Sequence, residues 1–593
     1  MGKKPKTIEQ ENVILLGPRP RLIKLIIKNF RCIGSTPVTI DLDDIVVLVG
    51  PNNVGKSSVL KAYEIIMSEG STAGQLKIED FPSSKVDPNY LPEIELHTIV
   101  FDNSPGNEWI YQTPDGEMLV RERWQWHAPG PPERRGFNVQ LLRWAEDGDK
   151  EKVPWGAAGV ANARRPQPHS VDAFDSPDEQ TKKIISLLMN AIHTRVDAYK
   201  SDSISNKTSD YASLLANIGR LQKMIVIESQ TEIDAVQSEL TQYISKVFPG
   251  NRVVFDAKPE DDLYKTLNLF KADTQLLMGP VDGYLSTIGL QGSGARRTLL
   301  WTAIRLLAES ASKKKTDTGQ RPHLLMLDEP EICLHPSAIR EACDLLYSLP
   351  NNTKNWQVML TTHSPAFVDF ARDHTSIVRV ERNSNGQISG TTIFRPSKAK
   401  FDNNDREQLK MLNQCDPYVA EFFFGGRTIV VEGDTEYTAF KQITSFEKGK
   451  YEGIHIVRAR GKATIVSLCK ILNQFSTPYA VLHDSDRPTY QKDGNVKANS
   501  AWVHNQSILD EIKKATAPTR LVASLPNFEV AYLGMEARIN KPYSALLTIK
   551  RNSTIANSIM QLLDALIDFK KPLPAGAIEW QNLPNLKNKI EGS

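Results

Sequence analysis

The chain has 593 residues, 40% hydrophobic and 24% charged, with a formal net charge of +2. That length exceeds a single core and predicts two to four domains, the composition excludes wholesale disorder, and the near-neutral charge confines any nucleic-acid surface to a local basic patch such as Arg134-Arg135 or Arg458–Lys462. Five scattered cysteines without a C-x-x-C pair suggest neither a zinc module nor a disulfide framework, and with no apolar run approaching about twenty residues the chain is expected to be cytoplasmic, with no membrane span.

Residues 22–30 are rich in β-branched side chains, as in a strand, and the turn-like stretch 34–37 leads to strands Val38–Leu42 and Ile45–Val49. The last run ends in Gly50-Pro51-Asn52-Asn53-Val54-Gly55-Lys56-Ser57, and Ser57–Met67 reads as an amphipathic helix. Strand, glycine loop and helix are the context a phosphate-binding loop requires. Main-chain amides around Gly50, Asn53 and Gly55 would cradle phosphates, Lys56 would reach the β/γ-phosphates, Ser57 would ligate Mg²⁺ and Ser58 would border the nucleotide.

Segments alternating over 92–145 predict an antiparallel meander, and the Pro-, Ala- and Asp-rich stretch 149–180 reads as a loop or linker. Ile184, Leu188, Met189 and Ile192, then Leu240, Ile244 and Val247, recur at helical spacing and predict an all-α insertion. Strand character returns over 253–290, and 312–322 reads as a polar surface loop.

Gln291-Gly292-Ser293-Gly294 opens a further helix, where glycines and a serine can present amides to an anion. Within one protomer this loop is expected to lie far from the Gly50 loop, so Ser293 and Gly294 would serve the nucleotide of a second copy. The apolar strand Leu324–Leu327 ends in Asp328-Glu329, with Asp328 suited to hold Mg²⁺ through water and Glu329 to polarise the attacking water. A merely buried strand does not call for two carboxylates at its tip. Strand Val358–Leu360 leads to His363, which can contact a γ-phosphate; a lone histidine is more often a satisfied polar residue, but this one follows the carboxylate strand. The set Ile26–Arg31, the glycine loop, Ser293-Gly294, Leu327–Pro336 and Thr362–Pro365 resembles the ABC/RecF/SMC-type ATPases. The resemblance implies head-to-head dimers with ATP at the interface, although the signature departs from Leu-Ser-Gly-Gly-Gln.

From Arg427 strands and helices alternate: strand Thr428–Val431, helix 435–446, strand Ile454–Arg458, helix 463–474, strand Tyr479–His483. Glu432 closes the first strand and Glu436 sits on the next helix; Asp484 and Asp486 end a later strand, where a spacing of two would aim both side chains to one side. Carboxylates converging there suit Mg²⁺ or Mn²⁺ and phosphodiester cleavage, whereas solvated acidic turns would leave their clustering without a purpose. Gly461-Lys462, at a helix start, could grip a backbone phosphate.

This segment resembles a Toprim domain, and the two motif sets in this order resemble the OLD (overcoming lysogenization defect) family. The resemblance covers about residues 22–545 and implies a third acidic element and a following basic residue, assigned to Glu529 and Lys541. The expected fold is α/β: an ABC/RecF/SMC-like ATPase head with an α-helical insertion, followed by a C-terminal Toprim Rossmann-like domain. Expected boundaries are 1–176 and 251–400 for the two ATPase halves, 177–250 for a dimerising insertion, 401–425 for a linker and 426–593 for Toprim with a helical extension.

The resemblance implies an ATP-regulated, metal-dependent DNA endonuclease of antiphage defence, with Glu329, His363, Glu432, Asp484, Asp486 and Lys541 catalytic, and Ser57, Asp328, Glu432, Glu436, Asp484, Asp486 and Glu529 facing metal. It also implies a homodimer or homotetramer that acts alone, with a UvrD-like helicase, or beside a retron reverse transcriptase and its RNA–DNA hybrid. The rivals are an RNA- or tRNA-cleaving nuclease, a Toprim primase or topoisomerase (no tyrosine cleavage domain is evident) and a RecF/SMC-like clamp without nuclease activity.

Overall fold

Apolar runs bounded by turn residues build one large sheet in the first two-thirds of the chain. The computed structural model describes residues 21–172, 176, 179–182, 184, 185, 188, 230–256, 275–312, 322–353, 356–382, 388–416, 419–447, 449–475, 477–492, 495–534 and 541–591. Within these, a 13-stranded mixed sheet has a parallel centre: Thr375–Arg382, Ile45–Val49, Trp356–Thr361, His323–Asp328 and Gln167–Val171, side by side in that order. Ile45–Val49 and Trp356–Thr361 are buried at every position, as strands covered on both faces must be. Parallel neighbours share one C-terminal edge, so the loops after Val49, Asp328 and Thr361 meet there. The other wing is largely antiparallel, and its strands Glu93–Val100 and Met118–Gln125 alternate buried with less buried positions.

Two readings of this region are corrected. The stretch 149–180 is not simply a linker: it holds helix Ala158–Arg164 and strand Gln167–Val171, which closes the parallel edge. Pro168 is tolerated because an edge strand needs to donate on one side only. Arg134-Arg135 is not a nucleic-acid patch, since Arg134 is buried near Glu69 and Glu122 while Arg135 pairs with Glu133 and Asp147.

Of the expected insertion, helix Gln230–Val247 forms and sends Ile233, Leu240 and Ile244 into the main core with Ile184 and Leu188. Met189, Ile192 and the rest of 191–229 lie outside the described residues, as do 257–274 and the loop 313–321. The strand character after 250 resolves into an antiparallel sheet of Asn251–Asp256, Gln275–Pro280 and Ser286–Thr287.

The C-terminal sheet has Ile454–Arg458, Arg427–Val431, Tyr479–Asp484 and Thr519–Ser524 in parallel, with Ala577–Glu579 added antiparallel. The segment joining it to the ATPase is no linker. Asp402 and Asp405 form a capping box on helix Asn403–Cys415, and Asp405 also accepts from Ser467 Oγ (2.6 Å) and Lys470 Nζ (2.5 Å) of the second sheet's helix. Phe422 and Phe423 stack at 4.5 Å and pack on Phe370 and Phe475, so one hydrophobic core runs through both domains. The polar composition of 401–425 reads as a linker because two adjacent aromatics carry the contact.

Candidate functional site

The glycine loop is shaped by what cannot fit. Gly50 leaves its strand at φ 138°, and a Cβ there would lie 2.0 Å from the Val380 carbonyl oxygen. Asn53 (φ 58°) and Gly55 (φ 89°) continue the left-handed turns from which main-chain anion nests are built, and Gly55 starts helix Lys56–Met67. Lys56 Nζ donates to the carbonyls of Gly50 (3.1 Å) and Pro51 (2.7 Å). Burial holds its pKa below the usual lysine range, against the pull of Glu329, Asp328 and Glu331.

Asp328 Oδ1 accepts from Ser57 Oγ (3.0 Å) and Thr361 Oγ1 (2.6 Å). Glu329 sits at φ 48° with its amide donating to Thr361 Oγ1 (2.9 Å). His363 Nε2 lies 3.4 Å from Glu329 Oε1 and has no hydrogen-bond partner among the described residues; burial, then the Lys56 charge, lower its pKa and favour the neutral ring. An ammonium within a nest of left-handed turns, next to a hydroxyl–carboxylate pair, fits a nucleotide triphosphate with a hard cation.

Sequence reasoning missed three residues here. Glu331 Oε1 accepts from the His363 amide (2.7 Å) and Thr362 Oγ1 (2.8 Å), and burial raises its pKa. Thr361 bridges Asp328 and Glu329, and the buried Arg297 donates to the Asp328 carbonyl. A second acid in Asp-Glu-Pro-Glu was the available signal for Glu331; nothing local marked the others. Through Arg297, helix Ser293–Ser312 packs against its own Asp328 strand. Gly294 packs there, a Cβ lying 2.6 Å from the Cys333 carbonyl, and among the described residues neither Ser293 nor Gly294 hydrogen-bonds the Gly50–Ser57 loop.

In the second domain, the parallel strands bring several acids to one edge. Glu432 Oε2 accepts the Asp484 amide (3.0 Å), and Asp484 Oδ1 accepts the Phe528 amide (2.8 Å). Glu529 Oε1 accepts from Thr435 Oγ1 (3.0 Å) and pairs with Lys541 Nζ (3.2 Å). Burial, then Lys462 pulling the other way, leaves the Glu432 pKa raised. Glu436 is pushed up to about 8 by burial and by the charges of Glu432 and Glu529. Asp484 is raised well above the carboxylate range by burial, Glu436 and Glu432. The charges of Glu432, Glu436 and Asp484 oppose one another, but the acids do not form a closed shell: among the described residues, the set of three ligand atoms mutually within 4.8 Å is that of Asp43, Asp44 and His374, elsewhere. Hard oxygens whose ionised forms repel in a buried site fit a divalent cation.

Two expectations fail at this edge. Asp484 and Asp486 do not act as a same-face pair, because the strand ends at Asp484 and Asp486 turns left-handed (φ 55°) to bond Lys462. Lys462 is buried between Asp486 and Asn505 Oδ1 (2.8 Å), so it is no free phosphate grip. Behind Asp484 sits a unit the sequence did not announce. His483 Nδ1 bonds the Asp484 carbonyl (2.7 Å), and Trp580 Nε1 donates to His483 Nε2 (3.1 Å), which fixes a neutral Nδ1–H ring; burial takes its pKa down to about 3.

Comparison with known proteins agrees with both halves. The AAA ATPase domain family matches residues 21–101 and 173–368, and the TOPRIM domain of overcoming lysogenization defect protein-like sequences matches 423–486. The Old nuclease of Escherichia phage P2 is 24% identical over 482 residues, 79% of this chain and 77% of that protein. The OLD nuclease of Thermus scotoductus is 22% identical over 473 residues, 78% of this chain and 82% of that protein. A crystal structure of the Smc head domain with an extended coiled coil, bound to the C-terminal domain of ScpA from Pyrococcus furiosus, is 15% identical with a TM-score of 0.39, covering 67% of this chain and 99% of that one. Among the described residues, no helix is long and apolar enough to cross a membrane.

Proposed function

We propose that this chain, an OLD-type protein joining an AAA ATPase domain to an OLD-like TOPRIM domain, is an ATP-regulated, divalent-metal-dependent DNA endonuclease of antiphage defence. The observation that carries the reading is the group formed by buried Glu436 and Glu529 with half-buried Glu432 and Asp484 at the C-terminal edge of a parallel sheet. These carboxylates would hold Mg²⁺ or Mn²⁺, which when bound lowers the pKa of a water and offsets charge on a phosphodiester. Asp486 joins them when Lys462 releases it. Lys541, beside Glu529, is suited to offset the charge that develops on the phosphate.

In the ATPase domain Lys56, Ser57 and Asp328 hold the nucleotide and its cation, Glu329 orients water, and neutral His363 stands ready at the terminal phosphate. Phosphodiester hydrolysis needs no energy from ATP. ATP therefore acts through differential binding to two arrangements of paired heads, with Ser293-Gly294 meeting the nucleotide of a second copy. Homodimers are the smallest assembly this allows, and a homotetramer, a helicase or a reverse transcriptase partner fits the same reading.

The test is plasmid cleavage by the purified full chain with Mg²⁺ or Mn²⁺, with and without ATP. Metal-dependent nicking that responds to ATP is expected. Plasmid left intact under every combination, while a transfer RNA is cut, would overturn the DNA assignment.

A further inference from the structure

Beyond Asp486 the chain does not return directly to the sheet. It passes through exposed Arg487 into a two-stranded ribbon, Thr489–Lys492 paired with Asn495–Ala498, which joins no other sheet among the described residues. The ribbon is tied to the acidic site at both ends. Before it, Ser485 Oγ donates to the Pro526 carbonyl (3.0 Å) and Asp486 meets Lys462. After it, the Asn499 amide closes onto the Pro488 carbonyl (2.9 Å), and Asn505 of helix Ser500–Ile512 bonds both Lys462 and the Ser485 carbonyl. Two residues, Arg487 and Pro488, separate Asp486 from Thr489, so the ribbon starts within roughly 11 Å of the Asp486 Cα.

Its register sets Tyr490 directly opposite Lys497, and opposite residues project from the same face. Tyr490 is 47% exposed and Lys497 is exposed without an ion-pair partner among the described residues. On the far side of the acids, exposed Arg460 occupies the loop after strand Ile454–Arg458 at φ 59°. The four parallel strands put that loop and the one carrying Arg487 at the same edge as Glu432 and Asp484. An aromatic face beside cations, with more cations across the acidic cleft, is complementary to a strand of bases and phosphates. Such a ribbon is marginally stable by itself, which suits an element completed by its ligand.

We propose that the ribbon of Thr489–Lys492 and Asn495–Ala498 is a nucleic-acid arm: Tyr490 stacks on an unpaired base, while Lys497, Arg487 and Arg460 hold phosphates flanking the bond presented to Glu432 and Asp484. This rests on the nuclease reading and adds to it a preference for single-stranded character beside the cleavage point.

The experiment is fluorescence anisotropy of the full chain with a labelled single-stranded oligonucleotide and the matching duplex, in Ca²⁺ and across a salt series. Tyr490→Ala should weaken single-strand binding by about tenfold, and Tyr490→Phe should not. Lys497→Ala should flatten the slope of log affinity against log salt by roughly 0.7. ATP hydrolysis should be unchanged in all three. Wild-type affinity in Tyr490→Ala, in a protein that still cleaves, overturns the arm and leaves the nuclease standing. Equal losses in Tyr490→Phe and Tyr490→Ala overturn stacking. A lower mass for Tyr490→Ala by light scattering overturns the arm in favour of a contact between copies, and a wild-type chain with no affinity for either oligonucleotide overturns both readings.

Discussion

Asp328 and Asp484 both end parallel strands at the C-terminal edge of a sheet, yet their surroundings are opposite in kind. Asp328 receives two hydroxyls, its carbonyl receives the buried Arg297, and the Lys56 ammonium stands nearby. Asp484 receives one amide and faces Glu436 and Glu432. The nucleotide site is therefore assembled by internal compensation, whereas the TOPRIM site concentrates like charge that a proton or a cation must offset. One site should keep its shape without ligand; the other should couple its shape to metal and pH.

The sharpest way to break this comparison is to remove a TOPRIM acid. Asp484→Ala and Glu432→Ala should lower DNA cleavage by about 10²–10³-fold or more, the scale of losing a transition-state electrostatic group, while ATP hydrolysis persists. Both activities should be measured on one preparation, and loss of both in a folded variant would show that the sites are not separable.

The comparison also treats both sites as carried on one body. Phe423→Ala, in the shared aromatic cluster, should cost about 3–5 kcal/mol and lower a single calorimetric transition. Two resolved transitions would argue for domains that unfold separately. Next in size is Lys56→Ala, expected to weaken ATP binding about 10–100-fold in titration calorimetry while leaving metal binding at the TOPRIM acids intact.

The last test concerns protons, and per pH unit its effect is the smallest. Glu436 has its folded pKa raised to about 8 from an ordinary 4.5. Between those values the folded state holds a proton that the unfolded state has released, so metal-free stability falls as pH rises through that window, by up to about 1.4 kcal/mol per unit. Mg²⁺ should accordingly raise the melting temperature more at pH 8 than at pH 6. An equal rise at both would mean that the acids are not under-compensated.

Much of each site was legible because its residues follow apolar strands directly. The glycine loop, Asp328-Glu329, His363, Glu432 and Asp484 all sit one to three residues beyond such runs, and parallel pairing is what carries them to a common edge. The turn of Asp486 toward Lys462 was not legible, since alternation holds only inside a strand and Asp486 lies past its end. The strand Gln167–Val171 was hidden by proline-rich flanks, because its partner His323–Asp328 is far along the chain.

By itself, then, the sequence determined the order of domains, the phosphate loop and the acids at strand ends, since each is a local pattern of burial period and backbone freedom. Only the tertiary structure decided which charges are compensated. Glu331, Arg297, Lys462 and the fusion of two cores through Phe422 and Phe423 depend on contacts between distant segments, where burial strengthens each pairing and penalises each charge left alone.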